Sequence, residues 1–195
     1  MRVIGPAEHR SMLWKNGGGE TIEIAVAPEG AGLDDFDWRV SMARVARPGP
    51  FSTFPGVDRT LAVLDGAGLR LDVTGRHPVE LTAASPPCSF PADLPATAAL
   101  ADGPVLDLNV MSQRGKVEHA LDRLTVAIPR ELRLDCATAL LFCRAGHLEV
   151  TAPAVATPLA AGETLLLDPC PVAPLRLTPT ATAILFVVRL RPARP

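Results

Sequence analysis

Charged and amide side chains interrupt several apolar segments of this 195-residue chain, and their types and spacing could support chemistry. Arg39, Arg59, Asp107, Asn109 and Glu23 each lie in or beside a short run of apolar residues. A charge that becomes buried in such a run needs a partner. These residues therefore either pair with one another or bind a ligand.

Two interpretations of Arg59 have about equal support from the sequence. In the first, Arg59 forms a structural ion pair with Asp107. In the second, Arg59 lies at the mouth of a barrel and holds the carboxylate of a ligand, because a guanidinium binds a carboxylate through two parallel hydrogen bonds. Asn16 and Asn109 would then add amide hydrogen bonds to the ligand.

The four histidines, His9, His77, His119 and His147, do not have the spacing of a metal site. No His-x-His motif is present, and a catalytic metal takes about three protein ligands. We therefore expect surface histidines, with no bound metal and no cofactor.

Motifs of common enzyme classes are missing as well. The glycine run at 17–19 leads into a strand pattern and lacks the Gly-Lys-Ser/Thr of a phosphate-binding loop. Cys143 has no recognisable base beside it. The bases available to an enzyme are Glu23, Asp58 and Asp107. We therefore expect non-enzymatic binding of a small carboxylate metabolite, with a metal-independent isomerase or lyase acting on a small acid as the alternative.

The composition is that of a globular chain with a sizeable core, since 48% of its residues are hydrophobic. There is no uninterrupted apolar run of about 18 residues, and the N-terminal segment lacks the apolar region of a secretion signal. The four cysteines form no Cys-x-x-Cys pair. We predict a cytoplasmic protein with free thiols, no membrane span and no nucleic-acid partner, because the net charge is −2 and no dense basic cluster occurs.

Short period-two runs separated by Gly and Pro predict an all-β fold. Segments 7–13 and 113–121 are weak helical candidates. The segment 159–169 resembles the strand-turn-strand of the cupin jelly roll. The predicted strands are 20–27, 38–45, 59–64, 69–73, 105–111, 124–128, 139–143, 148–151, 164–167 and 183–190.

A faint internal repeat accompanies these strands. The Ala-Gly pair at 67–68 recurs at 145–146, and Leu81 and Pro91 likewise have counterparts 78 residues later. The repeat predicts two similar cupin-like units packed as a bicupin, which we place at 1–115 and 116–195.

Four ordered motifs resemble the HutD/Ves family, and together they cover roughly residues 13–115. They read WKNGGGET at 14–21, DFDWRVSMA at 35–43, GPFSTFPGVDR at 49–59 and DLNVM at 107–111. The resemblance implies a metal-free bicupin in the bacterial cytoplasm, associated with histidine utilisation and without an established enzymatic activity. It also implies binding of a small acid such as urocanate or formylglutamate, in a regulatory role.

The motif positions supply the candidate ligand-binding residues, which are Trp14, Asn16, Thr21, Arg39, Ser41, Ser52, Phe54, Arg59 and Asn109. One position departs from the family pattern, because Ala92 stands where the family commonly has glycine. The conformation of that turn is therefore open. Base rates alone leave a homodimer as an option.

Overall fold

The computed structural model describes residues 1–14, 17–153 and 155–193, and nearly all of them belong to β-strands or turns. One short 3-10 helix, Pro6–Glu8, is present. The strands in chain order are β1 (Arg2–Ile4), β2 (Arg10–Leu13), β3 (Gly19–Ala27), β4 (Trp38–Val45), β5 (Gly49–Pro50), β6 (Val57–Asp65), β7 (Leu69–Val73), β8 (Val79–Leu81), β9 (Cys88–Pro91), β10 (Ala96–Leu100), β11 (Val105–Gln113), β12 (Val117–Val126), β13 (Arg130–Leu132), β14 (Thr138–Ala152), β15 (Val155–Ala160), β16 (Thr164–Leu167) and β17 (Leu175–Pro192).

The chain forms two compact units. Unit 1 consists of Met1–Glu8 and His119–Pro192, and unit 2 consists of His9–Glu118 with the C-terminal residues from Ala193. The first residues of the chain join unit 1 because β1 pairs with β16, as in the register of Val3 with Leu165.

Unit 2 is a sandwich of two antiparallel sheets. The larger sheet has the order β2-β3-β4-β11-β6-β9, and the smaller has the order β5-β10-β7-β8. Leu61 and Val63 of β6 pack in one core with Leu69 and Leu71 of β7 and with Ala98 of β10. The larger sheet therefore turns the odd-numbered residues of β6 toward the interior, because alternate strand residues share a face.

Unit 1 is built on one seven-stranded sheet in the order β1-β16-β14-β17-β12, with β13 on β17 and β15 on β14. The pairing of β14 with β17 shifts register three times between Cys143 and Leu148. Gly146 lies in this bend at φ 78°, and a Cβ there would lie 2.5 Å from the carbonyl oxygen of Thr182. The bend allows one half of β14 to pair with β16 and the other half with β15.

The all-β prediction is confirmed, and strands 38–45, 69–73 and 164–167 have the predicted bounds. The two helical predictions are wrong, because 10–13 and 117–126 are strands. The predicted strands 139–143 and 148–151 are two halves of the bent β14. Within the described ranges we find no helix with the length and hydropathy of a membrane span.

The internal repeat has a structural counterpart in each unit. Leu69 lies opposite Leu81 in the β7–β8 hairpin, and Leu148 lies opposite Leu159 in the β14–β15 hairpin. The two glycines of the repeat, Gly68 and Gly146, both have positive φ. The bicupin arrangement and the division at residue 115 stay predictions.

Candidate functional site

The buried polar side chains of this protein concentrate in unit 2. Of the eight buried polar or charged residues in the described part of the chain, seven lie in unit 2 and only Thr164 lies in unit 1. The seven are Arg39, Ser41, Arg59, Thr60, Asp107, Asn109 and Ser112. A buried charge destabilises a fold unless it is compensated. Unit 2, which holds this cluster, is therefore the candidate binding unit.

Strand register brings the two buried arginines to the same region of the larger sheet. Met111 of β11 lies opposite Arg59 of β6 on one side and opposite Arg39 of β4 on the other. Asn109, two residues away on the same face, lies opposite Ser41. The sequence-predicted residues Arg39, Ser41, Arg59 and Asn109 therefore share the interior face of three adjacent strands.

Arg59, Asn109 and Asp107 form a chain of hydrogen bonds in this interior. The Nε of Arg59 donates to the Oδ1 of Asn109 over 2.7 Å, and the Nδ2 of Asn109 donates to the Oδ1 of Asp107. The structural pair considered from the sequence thus takes an indirect form, with Asn109 between the two charges. The second oxygen of Asp107, Oδ2, is buried without a hydrogen-bond partner in the described structure.

Burial controls the pKa values of both ends of this chain. Loss of hydration lowers the pKa of Arg59 to about 10, although Asp107 opposes the shift. Loss of hydration raises the pKa of Asp107 to about 7, although Arg59 and the hydrogen bond from Asn109 oppose it. Arg59 is therefore protonated at neutral pH, whereas the raised pKa of Asp107 disfavours its ionised form, so that Asp107 only partly neutralises Arg59.

Arg39 has a different partner, the carboxylate of Glu23 on β3. The Arg39 Nε donates to Glu23 Oε2 over 2.7 Å, and the two side chains are 5% and 12% exposed. The Nη2 of Arg39 is buried without a partner in the described structure. The sequence offers Glu23 as a candidate base, and the structure places it as the counterion of Arg39.

Two aromatic rings contact the Arg59 guanidinium. Its Cζ lies 4.4 Å from the centroid of Phe51 and 5.8 Å from that of Phe90. The backbone N–H of Phe51 donates to the carbonyl of Ala96, which anchors this ring beside the smaller sheet. Neither ring is among the site residues predicted from the sequence. Phe90 lies opposite Arg59 in the pairing of β6 with β9. This register cannot be read from the sequence alone.

Phe51 also lines a pocket of about 180 Å³ in unit 2. The other lining residues are Trp14, Gly18, Val45, Arg47, Pro48, Gly49, Pro50 and Ala98. Phe51 therefore both contacts Arg59 and lines this pocket. Two aromatic residues and two prolines line the pocket together with small or apolar residues and one cationic side chain, Arg47.

The glycine run positions Trp14 at this pocket. The Trp14 Nε1 donates to the Oγ1 of Thr21 over 2.8 Å. A Cβ on Gly19 would overlap the carbonyl oxygen of Arg44 and lie 3.2 Å from the Trp14 ring, so only glycine fits there. Two of the predicted site residues, Trp14 and Thr21, are thus hydrogen-bonded to each other, and Asn16 lies outside the described residues.

The remaining predicted residues are Ser52 and Phe54. Ser52 is exposed. Phe54 packs against Phe36 with ring centroids 6.4 Å apart, in a cluster that includes Ala92. Ala92 has an ordinary negative φ and exchanges backbone hydrogen bonds with Phe54 and Val57, so alanine fits this turn without strain.

Across the described residues, no three His, Cys, Asp or Glu side chains come together as metal ligands. The arrangement instead offers hydrogen-bond donors: a protonated Arg59 with its Nη groups uncommitted to described residues, and the Nη2 of Arg39. Chemically, such an interior can hold an anion, and a carboxylate matches the fork of a guanidinium.

A family model described as HutD matches residues 6–185 of the chain. An uncharacterised protein from the hutC 3' region of Pseudomonas putida is 32% identical over 151 residues, which is 77% of each chain. Protein Ves from Citrobacter koseri is 38% identical over 105 residues, and that match spans 53% of each chain.

Solved structures agree with this relationship. A conserved protein of unknown function from Pseudomonas aeruginosa has a TM-score of 0.90 and 32% identity, with 97% of this chain and 98% of that chain covered. HutD from Pseudomonas fluorescens, in a structure described as the formate condition, has a TM-score of 0.83 and 27% identity over 99% of both chains. A cupin barrel protein from Leptotrichia buccalis, at 11% identity and a TM-score of 0.57, confirms the cupin-like fold alone.

Proposed function

The chain belongs to the HutD family, which is linked to histidine utilisation, and from this premise we propose that it binds a small carboxylate metabolite in unit 2. The proposed role is regulatory and non-enzymatic. A molecule of the urocanate or formylglutamate kind is the proposed ligand, because each carries a carboxylate for Arg59.

The observation that carries this proposal is the state of Arg59. Its Nε is fixed by Asn109, while its two Nη groups have no hydrogen-bond partner among the described residues. Those groups carry four of the five guanidinium N–H donors and form the edge that grips a carboxylate. An arginine buried to this extent, oriented by an amide and still charged, is a donor prepared for an anion.

The charge balance of the interior supports an anionic ligand. Arg39 is neutralised by Glu23, whereas Arg59 faces an Asp107 whose raised pKa disfavours the ionised form. A net positive charge therefore remains in a region of low dielectric, where a carboxylate gains more from pairing than it would in water.

The contrast between the two units supports a functional origin for this network. The core of unit 1 consists of apolar side chains such as Leu141, Leu185 and Val187. Among the described residues of unit 1, no charged residue is buried as a whole, and internal ion pairs seldom improve stability over apolar packing. The charged interior of unit 2 is better explained by binding than by folding.

Titration calorimetry with urocanate, formylglutamate, glutamate, histidine and formate tests the proposal. A ligand at 100 times its Kd also adds about 2.7 kcal/mol of stability, which corresponds to a rise in Tm of roughly 5–10 °C for a chain of this size. Arg59→Lys keeps the charge but loses the fork, and we expect at least tenfold weaker binding. Arg44→Ala, on the exposed side of β4, is the matched control and keeps the affinity.

Absence of binding by every acid in a folded wild-type protein would overturn the proposal. So would equal affinity in the wild type and Arg59→Lys. If Arg59→Ala unfolds while Arg59→Lys folds and binds normally, then Arg59 supports the fold and not a ligand.

A metal-independent isomerase or lyase is the second candidate, and Asp107 favours it. A carboxyl group with a pKa of about 7 and a buried free oxygen has the properties of a general base. Turnover of one of these acids by the wild type, lost in Asp107→Asn with binding retained, would establish this activity. Unchanged ligand after prolonged incubation, followed by NMR, would exclude it for the acids tested.

A further inference from the structure

Two cysteines that are far apart in sequence meet in unit 1. The Sγ atoms of Cys136 and Cys170 lie 3.2 Å apart, and both thiols are free. Cys136 precedes β14, and Cys170 follows β16. Both side chains are half-buried against the apolar core of the unit.

Backbone hydrogen bonds hold the two segments together. The N–H of Cys170 donates to the carbonyl of Ala137 over 2.8 Å, and the N–H of Ala137 donates to the carbonyl of Leu190 over 3.0 Å. Cys136 is therefore tied through its neighbour both to Cys170 and to β17. The approach of the sulfurs follows from the strand scaffold, and a disulfide of about 2.04 Å needs only about 1.2 Å of further approach.

The other two cysteines lack this arrangement. Cys143 is buried, and its Sγ contacts the carbonyl oxygens of Ala145 and Gly146. Cys88 lies in unit 2, on β9. All four cysteines are described, so the structure singles out one pair among them.

We propose that Cys136 and Cys170 are a site of reversible covalent modification, at which a small-molecule disulfide such as glutathione disulfide converts the two thiols into an intramolecular disulfide. The thiolate of Cys136 attacks one sulfur of the oxidant, which forms a mixed disulfide and releases one glutathione thiolate. Cys170 then gives up its proton to solvent and attacks the Sγ of Cys136, which expels the second glutathione. Two protein thiols are oxidised, and one glutathione disulfide is reduced to two thiols.

The order of the two steps follows from the surroundings of Cys170. Burial, followed by the hydrogen bond with Cys136 and the charge of Asp168, raises the pKa of the Cys170 thiol to about 12, although Arg189 opposes the shift. Cys170 is therefore a thiol at neutral pH and a poor first nucleophile. Cys136 reacts first, and the neighbouring Cys170 acts as the resolving thiol.

The disulfide would close the loop from 136 to 170, which contains all of β14, β15 and β16. A cross-link of this length restricts the unfolded chain and should raise the Tm by about 5–10 °C. The modification would thus stabilise unit 1 without a new contact in unit 2, where the ligand is proposed to bind.

The experiment equilibrates the full-length protein with defined ratios of oxidised to reduced glutathione. Free thiols are then blocked with N-ethylmaleimide in denaturant, because Cys143 is buried in the folded protein. Intact mass and peptide maps are recorded. We expect the wild type to lose two of its four alkylatable thiols and to give one cross-linked peptide pair, Cys136–Cys170. Dithiothreitol should restore all four thiols and the lower Tm.

Single-site variants separate the two steps. Cys170→Ser cannot resolve the mixed disulfide, so we expect it to accumulate one glutathionyl group on Cys136. Cys136→Ser should stay unmodified, and Cys88→Ser should behave as the wild type does. Three results with the wild type would overturn the proposal: four thiols that all remain alkylatable, a reaction that stops at a mixed disulfide, or a cross-link through Cys88. These results come from the wild type itself, so they do not depend on the folding of any variant.

Discussion

The Nε of Arg59 donates to the Oδ1 of Asn109 over 2.7 Å, inside the sandwich of unit 2. The two residues come from adjacent strands, β6 and β11. Arg59 is 7% exposed and Asn109 is 2% exposed. Because the amide of Asn109 also donates to Asp107, one neutral side chain holds a cation and an acid in fixed positions. This relationship leaves the outer edge of the guanidinium available to a ligand.

Asn109→Ala should therefore weaken both the fold and the binding of ligand. The substitution removes the acceptor that orients Arg59 and leaves two buried polar groups without partners. We expect about 1–3 kcal/mol less free energy of unfolding, measured in urea, and at least tenfold weaker binding of formylglutamate. Ser112→Ala, at a buried position on the same strand outside this hydrogen-bond chain, is the comparison. Equal affinity in Asn109→Ala and the wild type would show that the orientation of Arg59 is irrelevant to binding.

Phe51 should couple energetically to Arg59. The ring covers the guanidinium at 4.4 Å, a distance at which a cation is attracted to an aromatic face. A double-mutant cycle with Phe51→Leu and Arg59→Gln isolates this term, because leucine keeps the apolar volume and removes the ring. We expect a coupling energy of about 0.5–2 kcal/mol in urea unfolding. Additive effects of the two substitutions would mean that the ring packs beside Arg59 without stabilising its charge.

Alanine should destabilise the protein more at Gly19 than at Gly17, the two ends of the glycine run. At Gly19 a Cβ meets the carbonyl of Arg44 and the ring of Trp14, so Gly19→Ala must displace a strand or the indole. We expect about 2–4 kcal/mol of destabilisation and a changed tryptophan emission. At Gly17 the φ of 65° alone is unfavourable and no atom lies within 4 Å, so Gly17→Ala should cost about 1–2 kcal/mol. Comparable losses in the two variants would contradict this difference.

The strands were predictable where local periodicity and burial agreed. β7 alternates between buried and exposed residues, and in β4 the apolar residues Trp38, Val40 and Met42 alternate with the residues between them, so the bounds of both strands follow from the sequence. The segment 10–13 has no such pattern, because β2 is an exposed edge strand and all four of its residues are exposed. Its conformation is set by hydrogen bonds to β3, as in the register of Met12 with Thr21, and no local pattern contains that information.

The site was predictable in its residue types and not in its partners. Charges within apolar runs identified Arg39 and Arg59 as buried, and both are. The pairing of Arg39 with Glu23 depends on the register of β3 against β4, which includes a bulge after Glu23. The contact of Phe51 with Arg59 joins a loop residue to a strand on the opposite sheet. Long-range relationships of this kind are determined by the packed fold and have no signature in residue spacing.

Protonation of Asp107 should make the fold more stable at low pH than at high pH. Burial raises its pKa in the folded state to about 7, well above the value of about 3.9 in an unfolded chain. The stability that comes from the bound proton is therefore fully present below about pH 4 and is lost as the pH rises through 7. Asp107→Asn removes this loss. The free energy of unfolding of the variant minus that of the wild type should therefore increase from pH 4 to pH 8. A difference that is constant over this range would contradict the raised pKa.

Ligand affinity should follow the same ionisation. Ionised Asp107 competes with a ligand carboxylate for Arg59 and repels it, whereas protonated Asp107 does neither. We expect the Kd for formylglutamate, whose carboxylates are ionised throughout, to increase about tenfold between pH 6 and pH 8, since one pKa unit of coupling equals about 1.4 kcal/mol.

Titration calorimetry at pH 8 should also detect the uptake of up to one proton on binding, because a bound anion raises the pKa of Asp107 further. Asp107→Asn should bind with the same affinity at both pH values, and Asp72→Asn, exposed on β7, should keep the pH dependence of the wild type. A wild-type Kd that does not change with pH would mean that the anion does not bind beside Asp107. Arg59 would then not be the residue that binds the ligand carboxylate.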